Sequence, residues 1–269
     1  MSMPLYFAIL PAMENVRKRA AGIATTGKVY FVADAHLGAN EEIEKHTVPA
    51  LLSLFDEVKR EKASLYVLGD LFDFWFEFRH SVPKIHIEVV AKLYELKLAG
   101  CTIVFVTGNH DFWMEGFLRR ELAQVVSSDW FECDIQGKRV CMSHGDGLAS
   151  GDTGYKLLKK ILRSKVNVAL YRLIHPDFAI PFAFACSRLS RKTSVAEMKF
   201  IAEKLFREVA LNRFADGFDF VVLGHVHLPY EREQDGKKFF IVGDWIENLS
   251  YLVMESGKIS RKVWGRTPA

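Results

Sequence analysis

The sequence predicts a layered α/β core with mixed sheets and a cap made from a helical insert. Three observations predict it. Short apolar runs alternate with stretches of helical period over the N-terminal half, β-hairpin patterns close the C-terminal end, and a helical, basic block interrupts the order before the last buried run. The chain has 269 residues, 49% apolar and 26% charged, ordinary proportions for a soluble globular protein. That length supports one large α/β domain or two small ones.

Taken in order, "KVYFVAD" (28–34) is a β-rich run that stops at an aspartate. Residues 41–62 follow as a helix, with Leu51, Leu52, Phe55 and Val58 spaced along one face. "SLYVLGD" (64–70) is a second apolar strand, again ending in Asp, and 84–99 is a helix closed by Gly100. "CTIVFVTGNHD" (101–111) is a third such strand, and "FECDIQGKRVCMSHGDG" reads as a hairpin turning at Gly137. Residues 153–213 are helical and basic. "FDFVVLGHVH" is the next buried strand, and two hairpins turn at Asp235-Gly236 and Ser256-Gly257. The expected organisation is an extension over 1–26, a core made of 27–150 and 214–269, and the insert over 151–213.

Four cysteines, none in a CxxC pair, argue against a disulfide scaffold or a zinc ribbon and fit a reducing cytoplasm. No apolar run approaches the ~20 residues that span a bilayer. At the start, an apolar patch precedes the basic residues, the reverse of a secretory signal, so residues 1–26 read as an extension without an export role. Charge is uneven. Residues 151–213 hold 13 Lys/Arg against 5 Asp/Glu, whereas the whole chain is only +3. A basic block of this kind suits an anionic partner, although solvated faces of amphipathic helices give the same count.

The apolar strands end in metal-ligand side chains: Asp34 and His36 in "DAH", Asp70 and Asp73 in "GDLFD", Asn109, His110 and Asp111 in "GNHD", His144 and Asp146 in "SHGD", His225 and His227 in "GHVH". Loops at the carboxyl ends of strands converge in α/β folds, so these blocks are expected to meet in one crevice. In a strand-like backbone, residues two apart face the same side, which would pair Asp34 with His36 and His225 with His227. Glycines before Asp70, Asn109 and His225 let the chain turn and approach an ion closely. Each motif alone is an ordinary turn. Together, a donor set of nitrogen and oxygen without sulfur suits hard or borderline divalent ions such as Mn, Fe(II) or Zn.

The ordered set D-x-H, G-D-x-x-D, G-N-H-D, H and G-H-x-H over residues 34–227 resembles the calcineurin-like metallophosphoesterases. The resemblance implies a four-layer α/β sandwich of two mixed β-sheets flanked by helices, with the helical insert as a cap, and two divalent ions. It places Asp34, His36, Asp70 and His227 on one ion, and the bridging Asp70 with Asn109, His144 and His225 on the other. His110, oriented by Asp73, would stabilise the transition state or protonate the leaving oxygen while hydroxide shared by the ions attacks phosphorus. "GDLFDFWFEF" and "SHGDGLASGDTGYKLLKKIL" narrow the likeness to the UDP-2,3-diacylglucosamine pyrophosphohydrolases of lipid A synthesis, over residues 28–247. That family cleaves its lipid-linked UDP-sugar to UMP and the acylated sugar 1-phosphate, usually with Mn.

The expected substrate contacts are Asp152 to the uridine-sugar part and Ser190, Arg191 and Lys192 to the phosphates, together with Asn109, His110 and His225. One position departs from the best-known form of the family, which has Arg where this chain has His110. The insert's mixture of Leu, Ile, Phe and Val with Arg and Lys suits acyl chains and an anionic membrane surface, so the expected location is peripheral, on the cytoplasmic face of the inner membrane. Of the aromatics at Phe72, Phe74, Trp75, Phe76 and Phe78, Phe72 and Trp75 are expected in the core and the others on the crevice wall. Two alternatives compete: a nuclease or nucleotide phosphodiesterase using the insert on a phosphate backbone, and a metal-binding interaction protein without turnover.

Overall fold

The computed structural model describes residues 25–84, 87–114, 116–151, 153–188 and 194–265. Residues 1–24 of the expected extension, and Asp152, Ser190, Arg191 and Lys192, lie outside the described residues.

Strands β1 (Val29–Val32), β2 (Ser64–Val67) and β3 (Ile103–Val106) form where the apolar runs predict them, every residue buried. Continuous burial on both faces explains why these strands show no polar alternation. They pair in parallel, joined by α1 (Glu41–Arg60) and α2 (Ile87–Leu98). Helix α1 begins at Asn40, whose side chain accepts from the Glu42 N–H, and buries Leu51, Leu54, Phe55 and Val58; Leu52 is only half-buried. Helix α2 ends as expected at Gly100, which takes φ +84° while the Cys101 N–H returns to the Leu96 carbonyl.

A short strand, β4 (Val125–Ser127), adds to the edge beside β3. Next come the hairpin β5 (Phe131–Ile135) and β6 (Lys138–Ser143), then helices α3 (Thr153–Leu162), α4 (Lys165–Tyr171), α5 (Pro176–Arg188), α6 (Val195–Leu205) and α7 (Leu211–Ala215). Strands β7 (Phe220–Leu223), β8 (Tyr230–Gln234), β9 (Lys237–Ile241), β10 (Ser250–Glu255) and β11 (Lys258–Val263) complete the chain. All three expected hairpin turns form, with paired left-handed residues at Gln136-Gly137, Asp235-Gly236 and Ser256-Gly257.

Two mixed sheets result, ordered β11-β10-β1-β2-β3-β4 and β5-β6-β7-β9-β8. Side chains alternate across each strand, so one set fills the space between the sheets and the other meets the helices. Val29, Phe31, Tyr66 and Val104 face Val140, Met142, Val222 and Phe240 between the sheets. Tyr30, Val32, Leu65 and Ile103 pack under α1 and α2, while Val221, Leu223, Phe239 and Ile241 pack under α6 and α7. Four layers follow: helices, sheet, sheet, helices.

The helical block expected over 151–213 divides in two. Helix α6, opened by a Ser194/Glu197 capping box, buries Ala202 and Leu205 on the second sheet as part of the outer layer. Helices α3 to α5 cover the site instead, and α4 buries none of its residues.

Candidate active site

Five strands, β1, β2, β3, β6 and β7, deliver their carboxyl ends to one crevice at the seam of the two sheets. Backbone contacts stitch the loops together. Asp34 N–H donates to the Gly69 carbonyl (3.1 Å), His36 N–H to the Asp70 carbonyl (2.9 Å), and Gly224 N–H to the His144 carbonyl (2.8 Å). The His225 N–H donates to Asp34 Oδ2 at 2.8 Å.

Strand alternation is not what pairs the side chains, which corrects the expectation for Asp34/His36 and His225/His227. Regular pairing ends at Val32 and Leu223, and Asp34, His36, Asp70, His225 and His227 all take left-handed backbone, with φ of 55°, 45°, 52°, 71° and 60°. Such angles are uncommon outside glycine, cost of order 1–3 kcal/mol each, and concentrate at functional sites. They turn each donor inward in place of letting it alternate. Two glycines are required by contact. A Cβ at Gly224 would lie 2.9 Å from both Asp34 Oδ2 and the Leu68 carbonyl, and one at Gly108 would lie 1.9 Å from Asp70 Oδ1.

The donors gather in three overlapping groups, each within 4.8 Å: Asp34, His36 and His227; Asp70, His144 and His225; His36, Asp73 and His110. Asp70 Oδ2 is 3.2 Å from His144 Nε2 and 3.7 Å from His36 Nε2, so it touches members of the first two groups. Asn109 Oδ1 stands 3.1 Å from His144 Nε2. His225 and His227, adjacent in sequence but for one residue, thus fall in different groups. Among the described residues Asp34 Oδ1 has no hydrogen-bond partner; it is buried, 3.5 Å from His227 Nε2 and 3.9 Å from His36 Nε2. An orphaned carboxylate oxygen between two imidazoles is costly unless a cation completes it, so these residues fit a divalent ion.

Proton affinities follow from the crowding of charge. Burial opposes charge on His36, but the bond from Asp73 and the charges of Asp70 and Asp34 outweigh it and raise its pKa to about 9. At His144 burial is likewise overcome by Asp70, and the pKa rises to about 10. Burial, reinforced by the charge on His144, lowers His225 to about 3; burial with His36 lowers His227 to about 4. Burial also pushes Asp34 up to about 8, whereas Asp70 is buried yet held well below the usual carboxylate range, chiefly by His144. The metal-free site therefore binds protons where a cation would otherwise balance its carboxylates.

His110 lies at the rim of this cluster. Asp73 orients it as expected, but mainly through the backbone: His110 Nδ1 is 3.0 Å from the Asp73 main-chain oxygen and 3.5 Å from Oδ1. The carboxylate turns to His36 Nδ1 at 3.2 Å and accepts from Ser187 Oγ at 2.9 Å. Ser187 belongs to α5 and is also 3.3 Å from His110 Nδ1, so the cap reaches the rim of the cluster. Nothing in the sequence pattern distinguishes Ser187 from its neighbours.

Asp244 was also missed, although "FFIVGD" repeats the pattern of an apolar run followed by Gly-Asp. Its Oδ1 accepts from Ile246, Glu247 and Asn248 N–H, and Asn248 Nδ2 donates to the His227 carbonyl, which fixes the loop behind that ligand. Asp111 holds the β3 loop by accepting from Gly108 and Leu71 N–H. Asp146 is buried and faces Lys159 and Tyr155 of α3, which clamps the cap's first helix.

The aromatic run is more buried than expected. Phe72, Trp75, Phe74 and Phe76 are all in the interior and only Phe78 is half-buried. Phe74 and Phe76 pack edge-on against Trp113 and Tyr171, and Phe74 also meets Phe184, so they form the joint between core and cap.

The sequence model of the calcineurin-like phosphoesterases matches residues 27–229, the same span that carries these loops. The chain is a calcineurin-like phosphoesterase. It is a hydrolase of phosphoric esters or anhydrides that uses divalent metal, and it shares the family's four-layer α/β fold. A UDP-2,3-diacylglucosamine hydrolase of Porphyromonas gingivalis is 30% identical over 246 residues, covering 85% of this chain and 94% of that protein. The enzymes of the same name from Neisseria meningitidis serogroup C (26% identical over 233 residues) and Aeromonas salmonicida (27% over 232) each match 85% of this phosphoesterase, covering 94% and 90% of their own lengths.

Proposed function

We propose that this phosphoesterase cleaves the pyrophosphate of UDP-2,3-diacylglucosamine, releasing UMP and 2,3-diacylglucosamine 1-phosphate. Asp34, His36 and His227 would hold one divalent ion and Asn109, His144 and His225 a second, with Asp70 shared. The N/O donor set favours Mn, with Fe(II) or Zn as alternatives. Such a pair supplies Lewis acidity toward the phosphoryl oxygens and acidifies water for attack on phosphorus.

The protein's own residues do the rest. The buried loops hold Asp70 and the histidines in place before substrate arrives, so little reorganisation accompanies the reaction. His110 donates from Nδ1 to the Asp73 carbonyl, which fixes the ring and leaves Nε2 to face a phosphoryl or leaving oxygen. Asp73, joined to His36 and Ser187, anchors that arrangement from below.

The observation that carries the choice of a lipid-linked substrate is the face of α3 to α5. Among the described residues, ten of the fifteen exposed large hydrophobics fall between Leu157 and Phe182. An uncovered apolar surface beside a phosphoesterase site suits acyl chains better than a nucleic-acid backbone, which calls for basic and aromatic tracks. Lys159 and Arg163, two of the insert's cations, point inward to Asp146 and the Gly108 carbonyl. The reading includes peripheral attachment to an anionic membrane, on its cytoplasmic face. The test is product analysis with Mn and UDP-2,3-diacylglucosamine in detergent micelles. UMP together with the lipid 1-phosphate is the expected result; turnover of oligonucleotides or cyclic nucleotides with none of the UDP-lipid would transfer the site to the nuclease branch.

A further inference from the structure

Outside the metal cluster, a groove of about 590 Å³ lies at the far end of the aromatic joint. Three separate segments line it: the turn Phe78–Val82, the stretch Gly116–Arg120, and Arg172 at the end of α4. Each contributes an exposed arginine: Arg79, Arg120 and Arg172. His80 lies beside them.

The groove's carboxylate is already occupied. Glu77 is buried, and its oxygens accept from the N–H groups of Gly116, Phe117 and Leu118 and from Trp75 Nε1. Its charge is spent on those donors. Among the described residues, Arg79, Arg120 and Arg172 make no ion pair, as is also true of scattered surface cations such as Arg60, Lys199 and Lys258, but these three line one groove. Three exposed guanidinium groups from three chain segments line one groove and leave its positive charge open to an anion. The frame is preformed, since Tyr171 stacks on Trp113 and Arg172 lies 6.0 Å over the Phe76 ring.

We propose that this groove binds a phosphate group, and that an anionic phospholipid headgroup supplies it. Guanidinium forks match phosphate oxygens in charge and geometry. The surroundings of Arg172 point to a lipid as the source. Leu170, Leu173, Ile174 and Phe178 are all exposed, Leu173 by 82%, so an anion held by Arg172 is flanked by side chains suited to the acyl region just below a headgroup. The groove would thus set how the cap meets the membrane, at a point separate from the metal cluster. It rests on the membrane part of the reading above and not on the identity of the UDP-lipid.

The test is co-sedimentation of the full chain with phosphatidylcholine vesicles, with and without phosphatidylglycerol, at fixed ionic strength. Replacing Arg79, Arg120 and Arg172 together by Ala should weaken phosphatidylglycerol-dependent binding on the order of 100-fold, roughly a fivefold step per arginine. The same loss of charge at Arg60, Lys199 and Lys258 should change it less than about twofold. Turnover of a soluble activated phosphodiester should be unchanged in both variants, which establishes that they fold and keeps this result apart from any failure of the substrate assignment. Equal binding by the groove variant, or equal loss in the control, would overturn the proposal. So would saturable uptake of inorganic phosphate in equilibrium dialysis that the groove variant loses while vesicle binding stays the same; that result makes the ligand a free phosphate.

Discussion

The loops at the seam of the sheets and the helices α3 to α5 above them are opposite solutions within one chain. In the loops, Asp34, Asp70 and His144 are at most 1% exposed, backbone bonds cross from loop to loop, and five donors hold strained left-handed angles. In the cap, α4 has no buried residue and Phe178 is 74% exposed. The difference follows from the task. Charge stabilisation works best from groups fixed in a dry site, whereas a surface that must receive an apolar ligand has to leave its apolar atoms uncovered beforehand. Ser187 is where the two meet, on a cap helix but bonded to Asp73.

The largest expected effects come from breaking the loop side. Asp70→Ala and His225→Ala should each lower kcat on a soluble phosphodiester by at least ~10³-fold, since each removes fixed charge stabilisation at the reacting centre. Metal analysis of the purified variants should show reduced content, and a fully active Asp70→Ala protein would sink the two-metal reading. Gly108→Ala forces a Cβ to within 1.9 Å of Asp70 Oδ1, so it should both destabilise the fold, by about 1–3 kcal/mol, and reduce metal affinity. Denaturant melts with and without Mn separate the two effects.

Titration sharpens the same side. His36 and His144 have pKa values raised to about 9 and 10, above the ordinary 6.5, so in metal-free protein they add stability that is full below pH 6.5 and lost as pH rises through 9 to 10. His225 and His227, lowered to about 3 and 4, act in the opposite sense below pH 6.5. Metal-free stability should therefore fall between pH 7 and 10. Mn affinity should rise over the same window, because the ion displaces those protons. Calorimetry in buffers of different ionisation enthalpy reads the released protons directly; no release at pH 7 would contradict the assignment.

Smaller effects belong to the joint and the cap. Ser187→Ala should lower kcat about tenfold by loosening His110 and Asp73, with metal content unchanged, and Ser187→Thr should recover part of the loss. Leu173→Ser should alter stability by no more than ~0.5 kcal/mol, since the side chain is solvated, yet raise KM for the lipid substrate several-fold. An unchanged KM for the lipid would remove Leu173 from substrate contact. Turnover of a soluble diester should not respond to this substitution.

Much of this contrast was legible beforehand. Uninterrupted apolar runs at 29–32, 65–68, 103–106 and 220–223 announce buried strands, and the Asp, Asn and His residues that follow them announce a shared crevice. Gly137, Gly236 and Gly257 mark their hairpins because paired positive φ angles favour glycine there. β4 left no comparable trace, being three residues long and only partly buried at an edge. The division of the helical block at Ser194 was hidden too, because a helix packed on a sheet and one facing solvent share a period.

By itself, then, the sequence determined the layered fold, the order of the strand-end loops and the chemical kind of donor each would offer, because burial and turn formation are local demands written in local residue types. Only the tertiary structure decided which donors share a neighbourhood. It sent His225 toward His144 and His227 toward His36, tied the Asp73 carboxylate to His36 and Ser187, and joined Arg79, Arg120 and Arg172 across one groove. These pairings join residues from 37 to 191 positions apart, as His36 does with Asp73 and with His227, and left-handed backbone sets their direction. Neither quantity has a period or a composition that a linear pattern could carry.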